Sequence, residues 1–232
     1  MIQPSTAKPL VVFDLDGTMI NTAPDLIDSL NDTIALRDLA PVTFDDLTHL
    51  VGQGARVMIR RAFNLREVPV DDAEVERLLE HFLDHYLAHM PGKSEIYEGL
   101  GACFDRLEEA GMNLAVCTNK LEQLALPLLD RMQLTERFVA ITCGDTFAVR
   151  KPDARHLLGT IERAGGDPAK SILIGDSVND IMAAKNAGVG SVGVTFGYSD
   201  VPIADLQPTR IIGHFSELTA DLVDAVIAQN AG

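Results

Sequence analysis

From Glu98 onward, short apolar runs alternate with stretches of helical spacing, and this alternation leaves few folds open to the chain. The runs predict strands near Asn113–Thr118, Val139–Cys143, Ser171–Asp176, Ser191–Thr195 and, more weakly, Thr209–Ile212. Between and after them, helices are predicted near Glu98–Glu109, Leu121–Met132, Asp153–Ala164, Asn179–Ala187 and Ser216–Ala228. Strands separated by whole helices cannot pair through tight hairpins, so they pair in parallel with helical crossovers. Gly111, Gly165 and Gly188 stand where helices of this length end, since a glycine readily takes the left-handed turn that closes a helix. Pro127 falls inside a predicted helix and implies a kink or a later start. With 232 residues, 47% of them hydrophobic, the chain can bury a full core, as one large domain or as a core plus a smaller module. The predicted class is α/β, with a doubly wound parallel sheet.

One further strand precedes this series. Val11-Val12-Phe13 runs into Asp14-Leu15-Asp16-Gly17-Thr18, after which residues 22 to 90 carry helical spacing without a convincing strand. Leu26, Ile27, Leu30 and Ile34 share one face of a helix predicted over Thr22–Leu36. A second is predicted over Ala55–Asn64. A third, over Asp71–Met90, opens with an acidic first turn suited to the helix dipole. The expected organisation is a core of residues 1–20 and 91–232, with a helical insertion at 21–90.

The pair Asp14 and Asp16 is the chemical feature of the chain. Strand alternation sends both toward one side and Leu15 toward the other. Two carboxylates this close repel each other unless a cation or phosphoryl group belongs beside them. Open α/β sheets bind ligands at the carboxyl ends of their strands, and three further polar groups fall at such positions. These are Thr118-Asn119, Lys151-Pro152 before a helix, and Gly175-Asp176-Ser177-Val178-Asn179-Asp180.

In that order the four motifs resemble the haloacid dehalogenase-like superfamily of phosphohydrolases, over nearly the whole span from Asp14 to Asp180. The resemblance implies a Rossmann-like core with an inserted cap. Asp14 is a competent nucleophile toward phosphorus, and Asp16 is placed to protonate the leaving alkoxide and then to activate water. By resemblance, Mg²⁺ is held by Asp14, the backbone carbonyl of Asp16, and Asp176, with Asp180 acting on the metal or its waters. Lys151 neutralises phosphoryl oxygens and pairs with the nucleophile, while Thr118 and Asn119 supply neutral donors. Val51-Gly52-Gln53-Gly54-Ala55-Arg56, Lys151-Pro152-Asp153 and Val194-Thr195-Phe196-Gly197-Tyr198 resemble phosphoglycolate phosphatases in particular. Arg56 is then the candidate partner of the substrate carboxylate.

No lysine lies between Asn21 and Met90, which disfavours relatives that need a cap lysine for Schiff-base or phosphomutase chemistry. Asp16 separates the chain from the dehalogenases, which lack the second aspartate. The chain departs from the family pattern at Asn21, commonly aspartate, and at Glu98-Gly99, commonly Pro-Gly. His49, His81, His85 and His89 suggest a metal only weakly, because the last three recur every four residues along one amphipathic helix. A formal charge of −15, no Trp and 5% aromatics argue against nucleic acid. The polar segment Met1–Lys8 and the lack of any long apolar stretch argue against a membrane. Cys103, Cys117 and Cys143 form no close-spaced framework and read as free thiols of a cytoplasmic protein. The expectation is therefore a monomeric or homodimeric Mg²⁺-dependent phosphatase of a small phosphorylated acid. A pyrophosphatase or sugar-phosphate phosphatase, and more remotely a phosphoryl-accepting receiver module, are the alternatives.

Overall fold

The computed structural model describes residues 7–47, 54–199 and 201–230. Strands β1 (Leu10–Phe13), β4 (Asn113–Cys117), β5 (Ala140–Thr142), β6 (Ser171–Gly175), β7 (Gly190–Val194) and β8 (Arg210–Ile212) form one sheet in the order β5-β4-β1-β6-β7-β8. Every pairing in it is parallel. Phe13 lies level with Val116 of β4 on one side and Ile174 of β6 on the other. The residues just past these three strand ends therefore meet. From β1 the chain builds outward through β4 and β5, then returns to the opposite flank of β1 as β6. That reversal opens a crevice at the carboxyl ends of β1, β4 and β6.

The central strands β1, β4, β6 and β7 are buried on both faces, as a parallel sheet covered by helices requires, while the edge strands β5 and β8 are more open. Val11 and Phe13 join the larger apolar cluster, while Leu10 and Val12 join the smaller one on the opposite face. Covering helices are α5 (Leu100–Glu109), α6 (Glu122–Arg131), α7 (Ala154–Arg163), α8 (Val178–Ala187) and α9 (Ala220–Asn230). Gly111, Gly165 and Gly188 follow α5, α7 and α8 with positive φ, as expected. Two local details differ from expectation: of the kink or later start expected at Pro127, the later start does not occur, and the last predicted helix is divided. Helix α6 begins at Glu122 and continues through Pro127, so there is no late start; burial of Leu124, Ala125, Leu128 and Leu129 outweighs the one missing donor. The helix predicted over Ser216–Ala228 is instead a 3-10 turn at Phe215–Glu217 followed by α9, because Glu217 Oε1 accepts the Gly213 and His214 N–H groups and closes the turn.

The inserted segment holds helices α1 (Ala23–Ala35), α2 (Phe44–Leu47), α3 (Ala55–Leu65) and α4 (Asp72–His89). Asp71 caps α4 by accepting the Glu74 N–H at 2.8 Å. Leu30, Phe63, Phe82 and Tyr86 are buried from these helices in the same cluster as Phe13 and Phe104, so the insertion is seated on the core. An element absent from the sequence reading joins the two parts. Short strands β2 (Ile20–Asn21) and β3 (Glu95–Ile96) pair antiparallel where the chain leaves and re-enters the core. Two residues per strand are too few to announce themselves by alternation. His49 and Val51-Gly52-Gln53 lie outside the described residues.

Candidate active site

The first strand closes at Phe13, one residue before the acidic pair, so strict pleat alternation does not govern Asp14 and Asp16. Both line one narrow cleft of about 20 Å³ with Thr118, Asn119, Lys120, Lys151, Asp176 and Asp180. Their partners differ. Asp14 turns to Lys151, whose Nζ lies 2.8 Å from Asp14 Oδ1. Asp16 turns to Lys120, whose Nζ lies 3.0 Å from its Oδ1, and accepts the Thr22 hydroxyl at 2.6 Å.

Three carboxylates, those of Asp14, Asp176 and Asp180, present oxygens all within 4.8 Å of one another. Burial, with added repulsion from Asp180, pushes the Asp14 carboxyl up to about 7 despite the opposing pull of Lys151. Burial, followed by Asp180 and Asp14, pushes Asp176 up to about 8. Burial opposes the charge on Lys151, yet Asp14 and Asp180 overcome it and hold the ammonium above its ordinary range. Three buried acids with one ammonium among them leave negative charge uncompensated, which suits a hard cation with oxygen ligands. Beyond the ion pair with Lys151, Asp14 Oδ1 is buried and receives no well-directed hydrogen bond from any described residue, which leaves it able to take a ligand. A cleft of about 20 Å³ admits one small ion or water.

Each acid is set by local chemistry. Asp176 accepts the Thr18 hydroxyl at 3.1 Å and the Tyr198 N–H at 2.7 Å. Gly17, with φ +79°, lies so close that a Cβ there would overlap the Asp176 carboxylate. Asp180 serves two ends at once. Its Oδ2 accepts the Ser177 N–H and hydroxyl, capping α8, while its Oδ1 accepts Lys151 Nζ at 2.6 Å. Lys151 also donates to the Cys117 carbonyl at 2.6 Å.

Thr118 Oγ1 accepts the Lys120 N–H at 3.1 Å, leaving its own proton for another acceptor. Asn119 Nδ2 donates to the Lys151 carbonyl at 2.9 Å, so this amide braces the lysine as well as lining the cleft. Arg56 sits apart from the acids. It lines a second, larger cavity of about 330 Å³ between α3, α4 and the core, shared with Asp16, Asn119 and Lys120. Its side chain is 58% exposed and is paired with Glu76 through two hydrogen bonds of 2.6 Å. His81 and His85 pair with Asp32, and His89 binds the His85 carbonyl.

Several residues at the site escaped the sequence reading. Lys120, directly after Thr118-Asn119, could have been found as a basic residue at a strand's carboxyl end. Tyr86 of α4, which accepts from Lys120 at 3.0 Å, has no such signal because it is one more apolar residue on a helical stripe. Tyr198 donates to Asn21 Oδ1 at 2.6 Å and accepts the Ala23 N–H at 3.1 Å, tying the site to the start of the insertion. At the position where the family commonly carries aspartate, Asn21 is thus a neutral acceptor.

His156 also went unnoticed. Its Nδ1 accepts the Lys151 N–H at 3.2 Å. Burial, reinforced by Lys151, pushes its pKa down to about 4. The unfolded chain takes up this proton near 6.5 and the folded one only near 4, so the contribution to stability is complete above 6.5 and is lost on acidification between those values. The expected loss is about 3 kcal/mol. His156→Gln keeps an acceptor for Lys151 but cannot titrate, so urea unfolding of the wild type should weaken more than the variant's from pH 6.5 to 4. Identical pH dependence in the two proteins would refute this.

The family model for haloacid dehalogenase-like hydrolases matches residues 11–194, from β1 to the end of β7. The chain belongs to this family. A phosphoglycolate phosphatase of Agrobacterium fabrum is 60% identical over 97% of this chain and 96% of its own length. One from Mesorhizobium japonicum is 48% identical over 95% and 97% respectively. Among solved structures, a predicted phosphoglycolate phosphatase from Haemophilus somnus superimposes with a TM-score of 0.85 at 29% identity, covering 94% of this chain and 97% of that one. The family, the α/β fold with its cap, and the hydrolase class follow from these likenesses. Among the described residues no helix is long and apolar enough to cross a membrane.

Proposed function

We propose that this chain is a Mg²⁺-dependent phosphomonoesterase that converts 2-phosphoglycolate to glycolate and phosphate through a phosphoryl group carried on Asp14. The observation that carries the reading is the buried trio Asp14, Asp176 and Asp180 with Lys151 inserted among them. The substrate comes from the relatives, which bear the name phosphoglycolate phosphatase at up to 60% identity.

Asp14 attacks phosphorus, a P–O bond forms on its carboxylate, and the bond to the glycolate oxygen breaks. Asp16 gives its proton to that departing oxygen, then takes one from the water that cleaves the acyl phosphate and releases inorganic phosphate. Lys151, Thr118 and Asn119 face the transferring oxygens with positive charge and neutral donors. Asp14, the Asp16 backbone carbonyl and Asp176 would hold Mg²⁺, with Asp180 behind them. Bound there, the ion would neutralise charge on the phosphoryl oxygens. The helical segment 21–90 acts as a cap over a core of 1–20 and 91–232, excluding water while the acyl phosphate exists. Three buried free cysteines are in keeping with a cytoplasmic protein, acting as a monomer or homodimer on a small molecule.

A steady-state panel of 2-phosphoglycolate, pyrophosphate and several sugar phosphates, with Mg²⁺ and with chelator, tests the reading. The highest kcat/KM is expected for 2-phosphoglycolate, with activity lost in chelator. A preference for pyrophosphate or a sugar phosphate would overturn the substrate, and full activity in chelator would overturn the metal. Arg56, on the larger cavity, stands as the cap residue that draws the carboxylate toward the cleft once its pair with Glu76 opens, without making the final contact. Arg56→Ala is expected to cost about 3- to 10-fold in kcat/KM on 2-phosphoglycolate and less on an aryl phosphate. Equal losses would remove Arg56 from that role.

A further inference from the structure

Among the described residues two lysines are buried, and they differ in what they leave for a ligand. Three separate groups surround the Lys151 ammonium: it donates to the Cys117 carbonyl and Asp180 Oδ1, and Asp14 Oδ1 lies 2.8 Å away as an ion-pair partner. Lys120 meets two acceptor groups: it reaches both oxygens of the Asp16 carboxylate, at 3.0 and 3.3 Å, and the Tyr86 hydroxyl at 3.0 Å. A single N–H shared between the two Asp16 oxygens, with a second on Tyr86, leaves the third for a ligand. Lys120 also lies on the wall common to the narrow acidic cleft and the larger cavity. Its side chain is only 3% exposed, so its charge acts where water screens it little.

The substrate supplies a distance constraint. In 2-phosphoglycolate the carboxylate carbon is two covalent bonds from the ester oxygen, a span of about 2.5 Å. With the ester oxygen within hydrogen-bond reach of Asp16, the substrate carboxylate falls beside the Asp16 carboxylate. Like charges so placed repel unless a cation lies between them. Arg56 borders only the larger cavity and is already paired with Glu76, whereas Lys120 is in contact with Asp16 itself.

We propose that Lys120 is the specificity-determining cation, its spare N–H taking the carboxylate of the leaving group while the same ammonium holds Asp16. This inference rests on 2-phosphoglycolate being the substrate. Because Lys120 follows β4 and Tyr86 lies on α4, the subsite is complete only with the cap seated on the core.

The test compares kcat/KM for 2-phosphoglycolate and for its neutral carboxamide analogue, in wild type, Lys120→Met and Lys120→Arg, with Mg²⁺ present. Wild type is expected to favour the acid by about 30-fold or more, the scale of a desolvated charge-assisted hydrogen bond. Lys120→Met slows both substrates, since Asp16 loses its partner, but the acid falls about 30-fold further and the preference collapses. Lys120→Arg keeps most of it. Should the methionine variant fail to fold, Lys120→Gln, which still donates to Asp16, carries the same expectation. An acid preference surviving either neutral substitution within about threefold overturns the assignment of Lys120 and leaves the phosphatase reading intact. A wild type that does not favour the acid over the amide overturns that reading, and the subsite with it.

Discussion

Asp14→Asn is expected to lower kcat by at least about 10⁴-fold while the protein still folds. An amide has the shape of the carboxylate but cannot attack phosphorus, so the covalent route closes. The fold has little reason to object. Burial and the neighbouring Asp180 disfavour the charged form of Asp14, and the substitution removes that charge from a group of three buried acids. Lys151 keeps Asp180 and the Cys117 carbonyl as acceptors. Phosphate release measures the rate, and circular dichroism against temperature measures the fold. Acid-quenched wild type caught during turnover should carry a phosphoryl adduct that the variant lacks. Turnover within about tenfold of wild type would reassign the nucleophile.

Lys151→Met is expected to cost both function and stability. Among the described residues the ammonium is the one buried cation in contact with Asp14 and Asp180, at 2.8 and 2.6 Å, and its side chain is 1% exposed. Removing it strands two acids in a site that water cannot screen, a loss of about 3 to 5 kcal/mol in unfolding free energy. The Cys117 carbonyl loses its donor as well. Activity should fall by about 10² to 10³, because the transferring oxygens lose a fixed positive charge. The double variant Asp14→Asn with Lys151→Met should recover part of the lost stability, since it removes one of the stranded charges along with its partner. Urea unfolding in chelator reads all three proteins. Additive losses, or a Lys151→Met variant as stable as wild type within about 0.5 kcal/mol, would show that the ion pairs contribute nothing.

These two residues illustrate how the site is divided between sequence and fold. Asp14 is legible because its signal is local: an apolar strand that stops in two acids and a glycine. Lys151 is legible as a lysine before a helix-opening proline, but its partners are not. Asp180 lies 29 residues on in the chain, and they meet only because β6 returns to the far side of β1. Asp180 itself is legible as a member of the acidic group. In the structure it also caps α8, one oxygen for that helix and the other for Lys151.

The sequence by itself determined the alternation of strands and helices after Glu98, the helical insertion behind the first strand, and the identities of the acids at the strand ends. Each of these is written within a few neighbouring residues, by side-chain period or by a short motif. The tertiary structure alone decided that Lys120 holds Asp16 against Tyr86, that His156 braces Lys151, and that Tyr198 reaches Asn21 across 177 positions of chain. It also carried α6 through Pro127. Such contacts have no periodicity to betray them: they arise when the sheet order brings distant strand ends together, and burial then makes each polar group find whatever partner is within reach.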